Sequence, residues 1–222
     1  MIDLSKALFY DIETHYVIPW ENRSPAFQKA FINHYYDDNS YSSPKEHYEE
    51  IAGLYAELGH VICIVFGYIC PTEPDGFKTV TVMGADEIKV LEDSKKVFDT
   101  FESAGYYLVG FNSDTCDGPF TAKRYMLNGM KVPNILNTYG LKPWEYTSLD
   151  VMKLWQFGDY KRTSLEVACA AFGIDCKTDE LGGGNLYTYP IEKMPFDILG
   201  HYCREDVISL WKLTEKIVKC IQ

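Results

Sequence analysis

The sequence predicts an α/β domain built on a mixed five-stranded sheet flanked by helices, and three observations carry that prediction. Residues 5–11, SKALFYD, are apolar at both parities and end on an acid, the pattern of a central strand covered on both faces. Two β-branched runs, 60–70 (HVICIVFGYIC) and 77–83 (FKTVTVM), flank PTEPDG, whose turn chemistry folds them into an antiparallel hairpin. A helix-period segment and a further strand then follow, the opening of an α/β sheet with mixed strand direction.

The remaining elements follow in order. Residues 86–103 repeat apolar positions at helical spacing through Ile88, Leu91, Val97, Phe98 and Phe101, and 106–111 (YYLVGF) is a fourth strand. A helix is predicted over 117–129 and a short fifth strand over 146–151. Residues 164–172 (SLEVACAAF) read as a helix with Ser164 as N-cap and Gly173 just past its end. The glycine-rich stretch 177–190 reads as a flexible loop. A final helix over 195–220 carries one apolar stripe through Leu199, Cys203, Val207, Leu210 and Ile217. The polar and aromatic stretch at about 15–46 is too long for an ordinary connection and is expected to be an ordered insertion near the active face.

A chain of 222 residues is expected to form a single domain, 1–222, large enough to bury a core and keep a cleft. No apolar run approaches the roughly 18 to 20 residues that span a bilayer, and the N-terminus is acidic where a signal peptide is basic. A cytoplasmic protein with no membrane partner is expected. The seven cysteines show no CxxC pair and are expected to be reduced and buried in the core. A net charge of −11 excludes a protein that grips nucleic acid over a broad basic surface. It leaves room for a protein whose acids are partly metal ligands and whose bound cations supply positive potential.

Three clusters carry chemistry. Asp11 and Glu13 lie two apart at a strand end, so alternation places both carboxylates on one face, where they repel unless a cation lies between them. An all-oxygen donor set suits magnesium or manganese. In GFNSDTCDGPF, Asp117 is the natural N-cap of the helix that follows. Tyr202 and Asp206 are four apart on the last helix and share a face. Asp206 has apolar neighbours, Val207, Leu210 and Trp211, and needs a partner, which Arg204 or a surface lysine could also provide.

The strand-end D-x-E, the N-x-x-x-x-D after the fourth strand and the Y-x-x-x-D near the C-terminus, in this order and over this length, resemble the three exonuclease motifs of the DEDD superfamily. The likeness is above all to the tyrosine-type proofreading exonuclease domains of family B DNA polymerases and their free-standing relatives. The segments TSLDVM and SLEVACAAFGID add a less specific match between the second and third motifs.

The resemblance implies a ribonuclease-H-like fold and a 3′-5′ exonuclease that uses two magnesium or manganese ions. Asp11, Glu13, Asp117 and Asp206 would be the metal-binding acids, with Asp11 bridging, Glu13 and Asp206 completing one ion and Asp117 serving the other. Tyr202 would orient the attacking water, its phenol being too weakly acidic to be a strong base. Asn112 would contact or orient the substrate strand. Cys116 stands where relatives usually carry an aromatic residue. His201, five before Asp206, would satisfy a histidine form of the third motif; Tyr202 shares the acid's face only if the helix runs unbroken from near 195, and a loop through Gly200 would reverse the preference.

The expected substrate is the 3′ end of single-stranded DNA, with RNA, or a silent nucleic-acid-binding module of the same fold, as alternatives. Candidate stacking residues are Phe120, Tyr125, Trp20 and Trp155, and candidate phosphate contacts are Lys123, Arg124, Lys161 and Arg162. Without polymerase regions in the chain, a free-standing enzyme, or one meeting a DNA polymerase or replication protein in trans, is expected.

Overall fold

The computed structural model describes residues 2–176 and 189–222. Its sheet has the order β3-β2-β1-β4-β5. The strands are β1 (Ala7–His15), β2 (His60–Ile69), β3 (Phe77–Met83), β4 (Tyr107–Gly110) and β5 (Leu149–Asp150). β1 pairs antiparallel with β2, and β2 with β3, as the turn chemistry of PTEPDG requires. β1 and β4, and β4 and β5, run parallel. The sheet is therefore the mixed five-stranded sheet that the pattern predicts. β1 extends past Asp11 to His15, and β5 shrinks to two residues because the chain turns at once into a helix capped by Asp150.

Alternation along β1 divides the core. Ala7 and Phe9 join a cluster with Val65, Leu199, Cys203, Val207 and Leu210 on one face. Leu8 and Tyr10 join Ile64, Phe66, Leu91 and Phe98 on the other. The first face is covered by α7 (Phe196–Ile221), with α6 (Leu165–Ala171) and α5 (Val151–Gln156) beside it. The second is covered by α3 (Glu87–Ser103) and α4 (Asp117–Leu127). Gly67 lets α7 approach closely: a Cβ there would stand 2.7 Å from a Val207 methyl and 2.4 Å from the Phe77 ring.

The helix signals in the sequence are realised with small shifts. Ser164 caps α6, accepting from the Val167 N–H, and Gly173 lies just beyond with φ of +65°. The 177–190 loop falls largely on residues outside those described.

The stretch after β1 is ordered and helical. It contains α1 (Pro25–His34) and α2 (Pro44–Ile51), each capped by a serine and opened by a proline. Phe31, Tyr48, Ala52 and Leu58 form its own small core, with Trp20 against Phe31 and Tyr48 at ring-centroid distances of 5.4 and 5.5 Å. Thr14 Oγ1 donates to the Gly53 carbonyl at 2.6 Å and ties this unit to the end of β1.

Of the seven cysteines, only Cys63, Cys169 and Cys203 are buried. Cys116 and Cys220 are exposed, one in the turn before α4 and the other on the solvent side of the last turn of α7, which corrects the expectation of seven core thiols.

Candidate metal and catalytic site

Asp11 and Glu13 lie on the carboxyl-terminal half of β1, the end at which an open α/β sheet presents its crevice, and Asp117 and Asp206 are near enough for their charge to be felt at Asp11. Asp11 and Glu13 stand opposite Val65 and Cys63 of β2, on the face that packs against α7, and a bulge follows between Glu13 and Thr14.

Asp117 is delivered by the turn after β4. Gly110 permits that turn to fold back on itself, since a Cβ would meet the Ser113 side chain at 2.3 Å. Asn112 has a left-handed backbone with φ of +59°, a conformation asparagine tolerates. Its side chain is held within the turn: Oδ1 accepts from Thr115 Oγ1 at 2.6 Å, and Nδ2 donates to Cys116 Sγ at 3.0 Å. Cys116 occupies the N-cap position and makes no side-chain cap, so Asp117 is the first residue of α4 rather than its cap. A carboxylate in that first turn is still favoured by the helix dipole.

α7 runs unbroken through Gly200, which places Tyr202 and Asp206 one helical step apart on a shared face. His201 is exposed, and Arg204 Nη2 donates to its Nδ1 at 2.9 Å.

The charges of the four acids are felt together. Burial pushes the Asp11 carboxyl well above the usual carboxylate range, and the charges of Asp117, Asp206 and Glu13 push it the same way, with the Cys203 thiol opposing. Burial and the nearby Asp150 charge raise Asp117 to about 7. Asp150 did not stand out in the sequence. It is buried, accepts from the Asn112 and Asp114 N–H groups at 2.9 and 3.3 Å, and caps α5 through the Met152 N–H at 3.1 Å. A lone Asp between an apolar strand and a helix is a legible cap signal, but its role in fixing the Asp117 turn requires contacts 36 and 38 residues apart in sequence.

An oxygen-rich cluster of this kind fits a divalent cation, because only bound positive charge relieves the repulsion without protonating the acids. The sign of the pH dependence follows. A carboxylate whose folded pKa is raised binds more protons folded than unfolded, so stability falls as pH rises from the ordinary carboxylate range near 4 toward about 7 for Asp117. The chelated protein is therefore expected to melt at a lower temperature at about pH 8 than at about pH 5, with manganese reversing most of the loss at the higher pH. Thermal melts with and without EDTA check this; a chelated protein that gains stability over that range would contradict it.

Beside Asp117 lies a cleft of about 360 Å³, walled by Ile12, Thr14, Leu54, Tyr55, Phe120 and Lys123, so the segment between α2 and β2 supplies one side of it. Phe120 is buried but forms part of that wall, and Lys123 is exposed at it. The other aromatic candidates lie elsewhere. Tyr125 is fully buried and bonded to Leu91 and Ser94; Trp20 belongs to the insertion's core; Trp155 packs edge-on against Phe172. Arg124 is not a phosphate contact, because it is buried in a bidentate pair with Glu87. Lys161 and Arg162 are exposed.

No protein-family model and no curated protein sequence matches this chain. Among solved structures it is similar to the family B DNA polymerase from the hyperthermophilic archaeon Pyrobaculum calidifontis, with a TM-score of 0.58 and 17% identity over 96% of this chain. The chain spans 24% of that polymerase's length. At this identity the likeness is one of fold, a ribonuclease-H-like α/β arrangement of a mixed five-stranded sheet flanked by helices.

Proposed function

We propose that the chain is a metal-dependent 3′-5′ exonuclease that shortens single-stranded DNA and releases nucleoside 5′-monophosphates, alone or beside a polymerase in trans. The observation that carries this reading is the charge felt at Asp11 from Glu13 on the same strand and from two distant stretches of chain, Asp117 on α4 and Asp206 on α7. The polymerase-like fold supports it.

Asp11, Glu13, Asp117 and Asp206 would hold two magnesium or manganese ions, which supply a nucleophile at neutral pH and stabilise charge on the departing oxygen. The protein's own work is positioning. β1 fixes two carboxylates on one face, the Asp150-braced turn fixes the third, and α7 fixes the fourth. The bulge after Glu13 and the tie from Thr14 to Gly53 set the wall of the adjoining cleft. Phe120 and Leu54 offer that cleft an apolar surface for a base, and Lys123 a charge for phosphate. Tyr202, half-buried on the face of Asp206, orients the attacking water through its hydroxyl.

The test is hydrolysis of end-labelled oligonucleotides with magnesium, manganese or EDTA. Stepwise shortening of single-stranded DNA from the 3′ end, abolished by EDTA, is expected; internal cuts, or RNA as the sole substrate, would sink the reading. In the same assay Tyr202→Phe is expected to lower kcat by about a hundredfold. His201→Ala should change it no more than about threefold, since that ring faces solvent and Arg204. The reverse ranking would assign the water-orienting role to His201.

A further inference from the structure

Cys203 reaches the carboxylate pair from the helical layer. Its Sγ lies 3.3 Å from Asp11 Oδ2 and 3.5 Å from the Asp11 carbonyl oxygen. One ligand atom each from Asp11, Glu13 and Cys203 falls within 4.8 Å of the other two. A tetrahedral zinc ion, with bonds of about 2.3 Å to sulfur and about 2.0 Å to oxygen, holds those two donors about 3.5 Å apart. The observed sulfur-to-oxygen separation is of that size, so an ion can enter between them without displacing β1 or α7. Cys63, the cross-strand partner of Glu13, is a second buried thiol in the same core cluster as Cys203. Magnesium has little affinity for sulfur and retains its water, whereas zinc, cadmium and cobalt accept thiolate together with carboxylate.

We infer that Asp11, Glu13 and Cys203 form a mixed oxygen and sulfur site that takes a thiophilic divalent ion in competition with the hard ion of the proposed reaction. Binding exchanges the thiol proton for the metal: the S–H bond breaks, a sulfur–metal bond forms and the proton leaves to solvent. No electron is transferred. Because Asp11 and Glu13 are shared, the thiophilic ion is an inhibitor. The inference rests on the reading of these carboxylates as metal ligands.

The experiment titrates the full chain, reduced and freed of metal by chelation, with cobalt, and reads the sulfur-to-cobalt charge-transfer absorbance. One equivalent of signal is expected in the unaltered chain, retained in Cys220→Ser and lost in Cys203→Ser. Should Cys203→Ser fail to fold, Asp11→Asn replaces it. That variant keeps the thiol but loses an oxygen donor, and its cobalt affinity is expected to fall about tenfold or more. In parallel, zinc is added to manganese-supported hydrolysis, and Cys203→Ser should need about tenfold or more zinc for half inhibition relative to its own uninhibited rate. No band in the unaltered chain, a band that survives Cys203→Ser, or cobalt affinity indifferent to Asp11→Asn overturns the inference. Manganese-supported hydrolysis without a cobalt band would fail this site alone, and a band without hydrolysis would fail the nuclease alone.

Discussion

Asp11→Asn is expected to lower metal-dependent hydrolysis roughly a thousandfold or more while raising the melting temperature of the chelated protein. The first effect follows from position. Asp11 is the acid at which the charges of Glu13, Asp117 and Asp206 are felt, so on the proposed two-ion reading its loss would remove the ligand shared between ions, and about 4 kcal/mol of barrier corresponds to that factor. The second follows from repulsion. Without bound cations Asp11 is a half-buried carboxyl held above its ordinary range by burial and three neighbouring charges, and the neutral amide removes that penalty at about the same volume. Opposite movement of activity and apo stability separates a ligand from a structural residue. An Asp11→Asn protein that melts lower in EDTA and remains active would remove the site from the reaction.

Arg124→Ala is expected to cost about 3 to 5 kcal/mol of folding stability, a large part of the roughly 5 to 15 kcal/mol typical of a domain. The guanidinium donates to both Glu87 oxygens at 2.8 and 2.5 Å and to the Ala56 carbonyl at 2.7 Å. Glu87 also accepts from the Val61 N–H and from Asn128. Burial pushes the Glu87 carboxyl up, but the bonds from Arg124, Asn128 and Val61 outweigh it and leave the group below its usual value. Removing the arginine strands that charge in the interior. Because the folded pKa is depressed, this contribution is present above the ordinary glutamate range and is lost as pH falls through the folded value. Urea unfolding at neutral pH reads the loss, and Arg124→Ala with Glu87→Leu should regain a substantial part of it. Unchanged stability combined with weaker oligonucleotide binding would return Arg124 to the role of phosphate contact.

These two residues show where sequence reasoning succeeds and where it stops. Asp11 was legible because alternation along a strand is a local rule, and two acids two apart must share a face. Arg124 was misassigned because its partner lies 37 residues away, and a basic residue on a helix looks alike whether it meets solvent or a buried glutamate. Phe120 shows the same limit in milder form, since it serves the core and the cleft wall at once.

By itself the sequence determined the five strands in order, the helices α3, α4, α6 and α7, the hairpin, the cap of α6, and the three stretches that carry the acids. All of these rest on periodicity and on capping chemistry within a few residues. Only the tertiary structure decided which face of β1 meets α7, that Asp150 braces the turn before Asp117, and that a cysteine 192 residues from Asp11 rests on its carboxylate. Those facts depend on how layers dock, and docking is set by the summed burial of whole faces rather than by any local pattern.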